Sequence, residues 1–221
     1  LLGGNKASLQ PWRNLFAHLH AGFGNFEDLP KKYNNLPFLP ALLDKPLQML
    51  SQMIDNNLNS PMASSAGRLF DAVAAALGVC FEMQNYEGEA AMLLQAMAET
   101  CPSETHAYSV LTDNVVQWTP LWTGILTDLD AGVSRNKIAR RFHNTLTKLI
   151  VALTHKLASQ HNVQTIVLSG GVMQNKLLLS GICEGLSNDF FTILRPSDLP
   201  ANDGGLSLGQ AAIGASKQIA G

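Results

Sequence analysis

The sequence is short of charge and of cysteine, and each shortage removes a class of protein. Charged residues make up 14% of the 221 residues, and the net charge is −2. A nucleic-acid surface needs concentrated Lys and Arg, so no strong footprint of that kind is expected. The basic cluster Arg135, Lys137, Arg140 and Arg141 reads as the solvated face of a helix. Cys80, Cys101 and Cys183 are widely spaced, with no Cys-x-x-Cys pair. That excludes a compact zinc module and fits reduced thiols in a cytoplasmic protein, with Cys80 and Cys183 as buried small hydrophobes. No two of His18, His20, His106, His143, His155 and His161 stand four apart, as a helical metal pair requires. His18 and His20 fall on different helix faces and read as surface or interface residues. No uninterrupted apolar run reaches about twenty residues, so no membrane-spanning segment is expected. No signal peptide is recognisable, and a first residue of Leu1 reads as a fragment of something longer.

What is present is a generous apolar content, 46%, ample for a core. Apolar residues return every three or four positions over 12–20, 40–57, 64–77, 89–98, 118–129 and 134–160, which predicts six helices. Ser134 reads as the N-cap of the last. Its stripe Ile138, Phe142, Leu146, Leu149, Leu153 and Leu157 is expected to pack on a later sheet. Asn34-Asn-Leu-Pro37 and Asn56-Asn-Leu-Asn-Ser-Pro61 read as loops. Near residue 162 the pattern changes to strand, helix, strand, helix. The fold class is therefore α/β but mostly helical, with a helical subdomain over 1–161 and an α/β nucleotide-binding segment over 162–221. Two strands alone make no stable parallel sheet, so further strands must come from elsewhere. Trp12, Trp118 and Trp122 read either as interface anchors or as ordinary core.

The chemistry concentrates in the second segment. Ile166-Val-Leu168 is a short apolar run of the kind expected for a strand buried on both faces, ended by Ser169-Gly-Gly171. Glycine permits a tight turn with amides pointing at an anion. Asn175, read as about one turn into the next helix, can donate to and accept from a ligand. A second apolar stretch, Phe190–Leu194, leads through Pro196 and Pro200 to Asn202-Asp-Gly-Gly205. In an α/β sheet, loops at the carboxyl ends of neighbouring strands converge on one crevice. Asp203 there suits a cation that bridges phosphate oxygens; it reads equally as the N-cap of a helix from Leu206 to Ala220.

Ser169-Gly-Gly-Val-Met-Gln-Asn175 and Ala201-Asn-Asp-Gly-Gly-Leu-Ser-Leu-Gly-Gln210 resemble the closing motifs of the HypF carbamoyltransferases, which mature nickel-iron hydrogenases. More distantly they resemble the tRNA threonylcarbamoyladenosine transferases. Leu2-Gly-Gly-Asn-Lys-Ala7, Gln10-Pro-Trp-Arg13, Ser65-Ala-Gly-Arg-Leu-Phe-Asp71, Tyr86-Glu-Gly-Glu-Ala-Ala91 and Ile138-Ala-Arg-Arg-Phe-His143 extend the likeness in order along nearly the whole chain.

The resemblance implies one lobe of an actin-like, sugar-kinase-like (ASKHA, RNase H-like) ATPase fold. It places Asp71 and Gly88 at the ribose side of a nucleotide, with Glu87 beside them as a hydroxyl acceptor. It makes Gly170 and Gly171 the phosphate turn, Asn175 an amide ligand and Asp203 a metal ligand. No catalytic residue is assigned. The ligand implied is ATP or carbamoyl-adenylate, and the partner a HypE-like acceptor whose carboxyl-terminal Cys thiolate takes the carbamoyl group. Two features of relatives are absent, a His-x-x-x-His metal pair and a glycine-rich hairpin. A divalent metal, whether iron, zinc or magnesium, is accordingly expected in a full-length protein, with little held by this chain. The other domains of such a parent, or a second copy in a homodimer, would cover exposed apolar surface, and the fragment alone is expected to be inactive. Threonylcarbamoyl transfer to tRNA and a non-catalytic nucleotide-binding or docking module remain as alternatives.

Overall fold

The computed structural model describes residues 1–24, 28–112, 115–187, 191–197, 199–200 and 202–219. Phe190, Ala201 and Ala220, which the sequence reading drew into its elements, lie outside them. The chain divides into two compact units, Leu1–Leu146 and Thr147–Gly221.

The first unit is helical: α1 (Lys6–Leu9), α2 (Pro11–Phe23), α3 (Leu29–Lys32), α4 (Leu39–Leu43), α5 (Leu47–Asp55), α6 (Ala66–Ala76), α7 (Glu89–Glu99) and α8 (Thr119–Asp130). A small antiparallel hairpin, β1 (Leu111–Thr112) with β2 (Val116–Gln117), precedes α8. Helix α2 opens with Pro11 at its first turn, where the missing N–H costs nothing. It closes on Gly24 at φ 68°, whose N–H bonds the His20 carbonyl. Helices α2 and α6 form the central pair. Leu15, Phe16 and Leu19 of α2 are fully buried, and so is every residue of α6 from Leu69 to Ala76. The run Ala72-Val-Ala-Ala-Ala76 keeps α6 slim, so neighbours approach its backbone closely. Each large apolar side chain buried here contributes roughly 1.5–3 kcal/mol.

The helix predicted over 40–57 is two helices. Pro46 sits at the break between α4 and α5; it lacks an N–H and turns its predecessor out of helical geometry. The basic cluster is not a plain solvated face. Arg141 donates to Asp128 at 2.8 Å and to Glu104 at 3.1 Å, and Arg135 donates to the Leu77 carbonyl at 2.9 Å. Tyr108 donates to the same Asp128 at 2.5 Å, and its ring lies over Gly124, where a Cβ would meet it at 2.4 Å. His18 is packed rather than superficial. Its ring lies 5.7 Å from that of Trp122, and burial pushes its pKa down to about 4. Trp12 and Trp122 are core.

Helix α9 (Arg135–His161) follows Ser134, and the division between units falls within it. In the first unit Ile138, Phe142 and Leu146 are buried, with the Phe142 ring edge-on to Phe70 at 5.0 Å. In the second unit the stripe does not pack as expected: Leu157 is 51% exposed, and α9 instead meets α10 (Lys176–Leu186). Thr147 and Val151 lie over Gly181 and Gly185, where added Cβ atoms would come within 2.9 and 2.7 Å of their methyls.

The rest of the second unit is β3 (Thr165–Val167), α10, β4 (Thr192–Leu194) and α11 (Leu206–Ile219). The strands pair in parallel, Thr165 with Thr192, Ile166 with Ile193 and Val167 with Leu194. Burial on both faces is not what β3 shows. Val167 is 65% exposed and Leu194 50%, and among the described residues no third strand joins the pair. No described helix is long and apolar enough to cross a membrane.

The α9–α10 contact tolerates no branched side chain at its glycines. Gly185→Val should lower stability by about 2–3 kcal/mol, read as a fall in the urea midpoint with an unchanged slope.

Candidate functional site

The residues singled out by sequence fall into two groups, one in each unit. In the first unit, Ser65 caps α6 by accepting from the Arg68 amide at 3.4 Å. This fixes the first turn and puts Arg68 and Asp71, three apart, on one face. Arg68 Nη1 lies 3.0 Å from Asp71 Oδ2, and its Nη2 bonds Glu87 at 3.2 Å. Asp71 is 1% exposed and Glu87 79%. Gln84, also buried, donates to the Ser8 carbonyl at 2.5 Å, accepts from the Ala90 amide at 3.1 Å and reaches Asp71 Oδ2 at 3.5 Å. Gly88 caps α7 with φ 90°, and a Cβ there would meet only open space. Its glycine is required by backbone conformation, not by packing.

Asp71 Oδ1 is buried and has no hydrogen-bond partner among the described residues, and Arg68 Nη1 shares that condition because its contact with Oδ2 is not aligned as a hydrogen bond. Burial pushes the Asp71 pKa up to about 6, against the pull of Arg68 and Gln84 and with a further push from Glu87. A buried acceptor without a donor is costly. It fits a ligand hydroxyl, which brings the missing donor.

In the second unit, β3 runs on through Leu168, whose amide bonds the Leu194 carbonyl at 2.9 Å. Ser169 follows, then Gly170 at φ 99°, ψ 158° and a 3-10 turn over Gly171–Gln174. Asn175 is not inside the helix. It is the N-cap of α10, its Oδ1 accepting from the Leu178 amide at 3.0 Å. After β4 the chain reaches Asn202, whose Oδ1 accepts from the Gly204 amide at 3.0 Å and so closes a 3-10 turn over Asp203–Gly205. Capping there thus belongs to Asn202, and Asp203 is exposed. A Cβ on Gly204 would meet Pro200 at 2.8 Å. The two glycine turns abut: a Cβ on Gly171 would stand 3.9 Å from that of Asn202. Parallel pairing is the cause, since it puts both carboxyl ends at one edge.

No group of three or more His, Cys, Asp or Glu suited to a metal ion occurs among the described residues. One exposed carboxylate does not make a coordination sphere, so Asp203 does not by itself fit a resident metal. Sequence reasoning passed over Arg68, Gln84 and Asn202. Ser65 carried a capping signal, but no local pattern announces that Arg68 joins Asp71 to a carboxylate nineteen residues beyond Arg68 itself. A groove of about 530 Å³ lined by His106, Tyr108, Thr119, Thr123 and Gly124 contains none of the predicted residues.

Residues 1–210 match the family described as "Carbamoyltransferase, Kae1-like Domain, second subdomain". The chain is 35% identical over 217 residues to carbamoyltransferase HypF of Rhodobacter capsulatus, covering 98% of this chain and 27% of that protein. Its fold is similar to that of full-length HypF solved in a phosphate- and nucleotide-bound form, with a TM-score of 0.82, 32% identity and coverage of 100% of this chain and 28% of the other. The HypF of T. kodakarensis gives a TM-score of 0.80 at 26% identity, over 97% of this chain and 28% of that one. The chain thus spans a little over a quarter of the length of these relatives.

The raised Asp71 pKa carries a stability consequence of definite sign. Burial is least costly when the carboxyl is protonated, so its contribution is fully present below the ordinary value near 3.8 and is lost as pH rises through about 6. The unfolding free energy of the wild type relative to Asp71→Asn should therefore fall between pH 4 and pH 8, by on the order of 3 kcal/mol at most. Paired urea titrations at the two pH values measure it.

Proposed function

Because this chain belongs to the HypF carbamoyltransferase family, as its Kae1-like second subdomain, we propose that it holds the nucleotide in a carbamoyltransferase of nickel-iron hydrogenase maturation. The ligand is ATP and, in turnover, carbamoyl-adenylate. The acceptor is the carboxyl-terminal Cys thiolate of a HypE-like protein. The observation that supports this reading is the abutment of two glycine turns at the carboxyl ends of parallel strands, a backbone arrangement suited to phosphate.

Gly170 and Gly171 take phosphate oxygens, Asn175 orients them, and Asp71, Glu87 and Gly88 take the ribose. The thiolate attacks the carbamoyl carbon, a C–S bond forms, the C–O bond to the adenylate breaks, and AMP leaves with the electron pair. The protein's task is to position that carbon and stabilise the charge gathering on the leaving phosphate. A divalent cation of the complete protein, whether iron, zinc or magnesium, would take Asp203 as one ligand and the others from outside this chain. The fold would be one lobe of an actin-like, sugar-kinase-like ATPase. The exposed Val167, Leu194, Leu206, Leu208 and Ile213 would be covered by other domains of the complete protein or by a second copy.

Asn175→Asp keeps the helix cap and removes the amide donor. In the complete protein it should lower carbamoyl transfer from pre-formed carbamoyl-adenylate roughly a hundredfold, and Asp203→Asn should do likewise. Transfer unchanged in both variants removes the assignment.

A further inference from the structure

The first-unit group contains a pairing that the nucleotide reading leaves unexplained. Asp71 Oδ1 is a buried acceptor without a donor, and Arg68 Nη1 is a buried donor without an acceptor. The two belong to side chains 3.0 Å apart at their nearest atoms. A fold that merely neutralised Asp71 would align the guanidinium with the carboxylate and satisfy both atoms, as bidentate pairs do. Here the pair is misaligned, and Gln84 and Arg68 both crowd the other oxygen, Oδ2. A hydroxyl is the group that satisfies both orphans at once, because it donates one hydrogen bond and accepts others.

Arg68 is 12% exposed, and its contact toward solvent is the exposed Glu87, held at Nη2. That bridge joins the start of α6 to the segment just before Gly88, and it is the weakest of the contacts around the pair, since an exposed carboxylate gains little from an ion pair. The Glu87 bridge is therefore the contact that can give way, whereas Gln84 is held by its other two bonds, to Ser8 and Ala90.

We propose that Arg68 is a specificity-determining residue of the nucleotide site: its Nη1 and the Asp71 Oδ1 together read one ribose hydroxyl, with Glu87 exchanging its bond to Arg68 Nη2 for the ribose when ligand binds. The inference rests on the nucleotide reading above and adds a side-chain donor to its two carboxylates. A site built around a hydroxyl rejects the analogue that lacks it, because both partners are then left unpaired.

The test uses the complete protein and calorimetric titration with ATP, 2′-deoxyATP and 3′-deoxyATP. The wild type is expected to prefer ATP over one of the two deoxy analogues by about 30-fold or more. Arg68→Met should weaken ATP binding and collapse that preference to a few-fold, while binding of the disfavoured analogue changes little. A purely structural role would weaken all three nucleotides alike and leave their ratio intact, and that result overturns the proposal. Arg68→Lys keeps the charge but not the fork, and it serves if Arg68→Met does not fold. It too should lose most of the preference, and an intact ratio there is equally fatal. If Asp71→Asn loses the preference while both Arg68 variants keep it, the nucleotide reading stands and the role of Arg68 falls. If the wild type binds none of the three, both fall together.

Discussion

Burial of α6 is the constraint from which the first unit's chemistry follows. Its alanines let α2 and α7 close on it, and the same closure takes Asp71 out of water. An ionised carboxylate in that position must be compensated. Arg68 lies one turn earlier on the same face, and Gln84 is pinned from two sides. Compensation is incomplete: Oδ2 is served and Oδ1 is not. The helix core would be better served by an apolar residue of the same shape, so the carboxylate costs folding energy where it stands.

The second unit works by a different principle. Its turns depend less on buried side chains than on the direction of two strands. Pairing β3 and β4 in parallel obliges α10 to return the chain, and α10 can lie against α9 only because Gly181 and Gly185 leave room for Thr147 and Val151. Asn175 and Asn202 play matching parts, each turning an amide oxygen back on the backbone to start the element that follows. Polar side chains that would otherwise count as ligand groups thus also set the conformation of the turns that carry them.

Much of this was legible from periodicity. Helices over 64–77, 89–98 and 118–129 begin and end within two residues of α6, α7 and α8, because their apolar faces and caps agree. Where local and tertiary demands parted, the sequence misled. Pro46 was available as a break signal but lay inside a persuasive apolar pattern. The stripe on α9 predicted a sheet partner, whereas its burial in the first unit comes from Phe70 and its later contact from α10. The ties from Arg141 to Asp128 and Glu104 could not be foreseen, since charges thirteen and thirty-seven residues apart announce nothing locally. Gly181 and Gly185 did carry a readable sign, small residues four apart on one helix face. The glycines at 170 and 171 were legible as a turn because backbone freedom is written in the residue type itself, whereas the pairing of Arg68 with Glu87 is a property of two helix starts brought together.

Strands β3 and β4 are Thr-Ile-Val and Thr-Ile-Leu, with no charge, no proline and no bulge among them. Each has one flank bonded to the other and, among the described residues, one flank with no neighbour. Such a flank is a row of amide and carbonyl groups ready to template whatever extended backbone comes by, and native sheets usually guard it with lysine or a kink. Among the described residues the pair carries no such guard, so its outer flanks can accept a further strand from any extended backbone that reaches them.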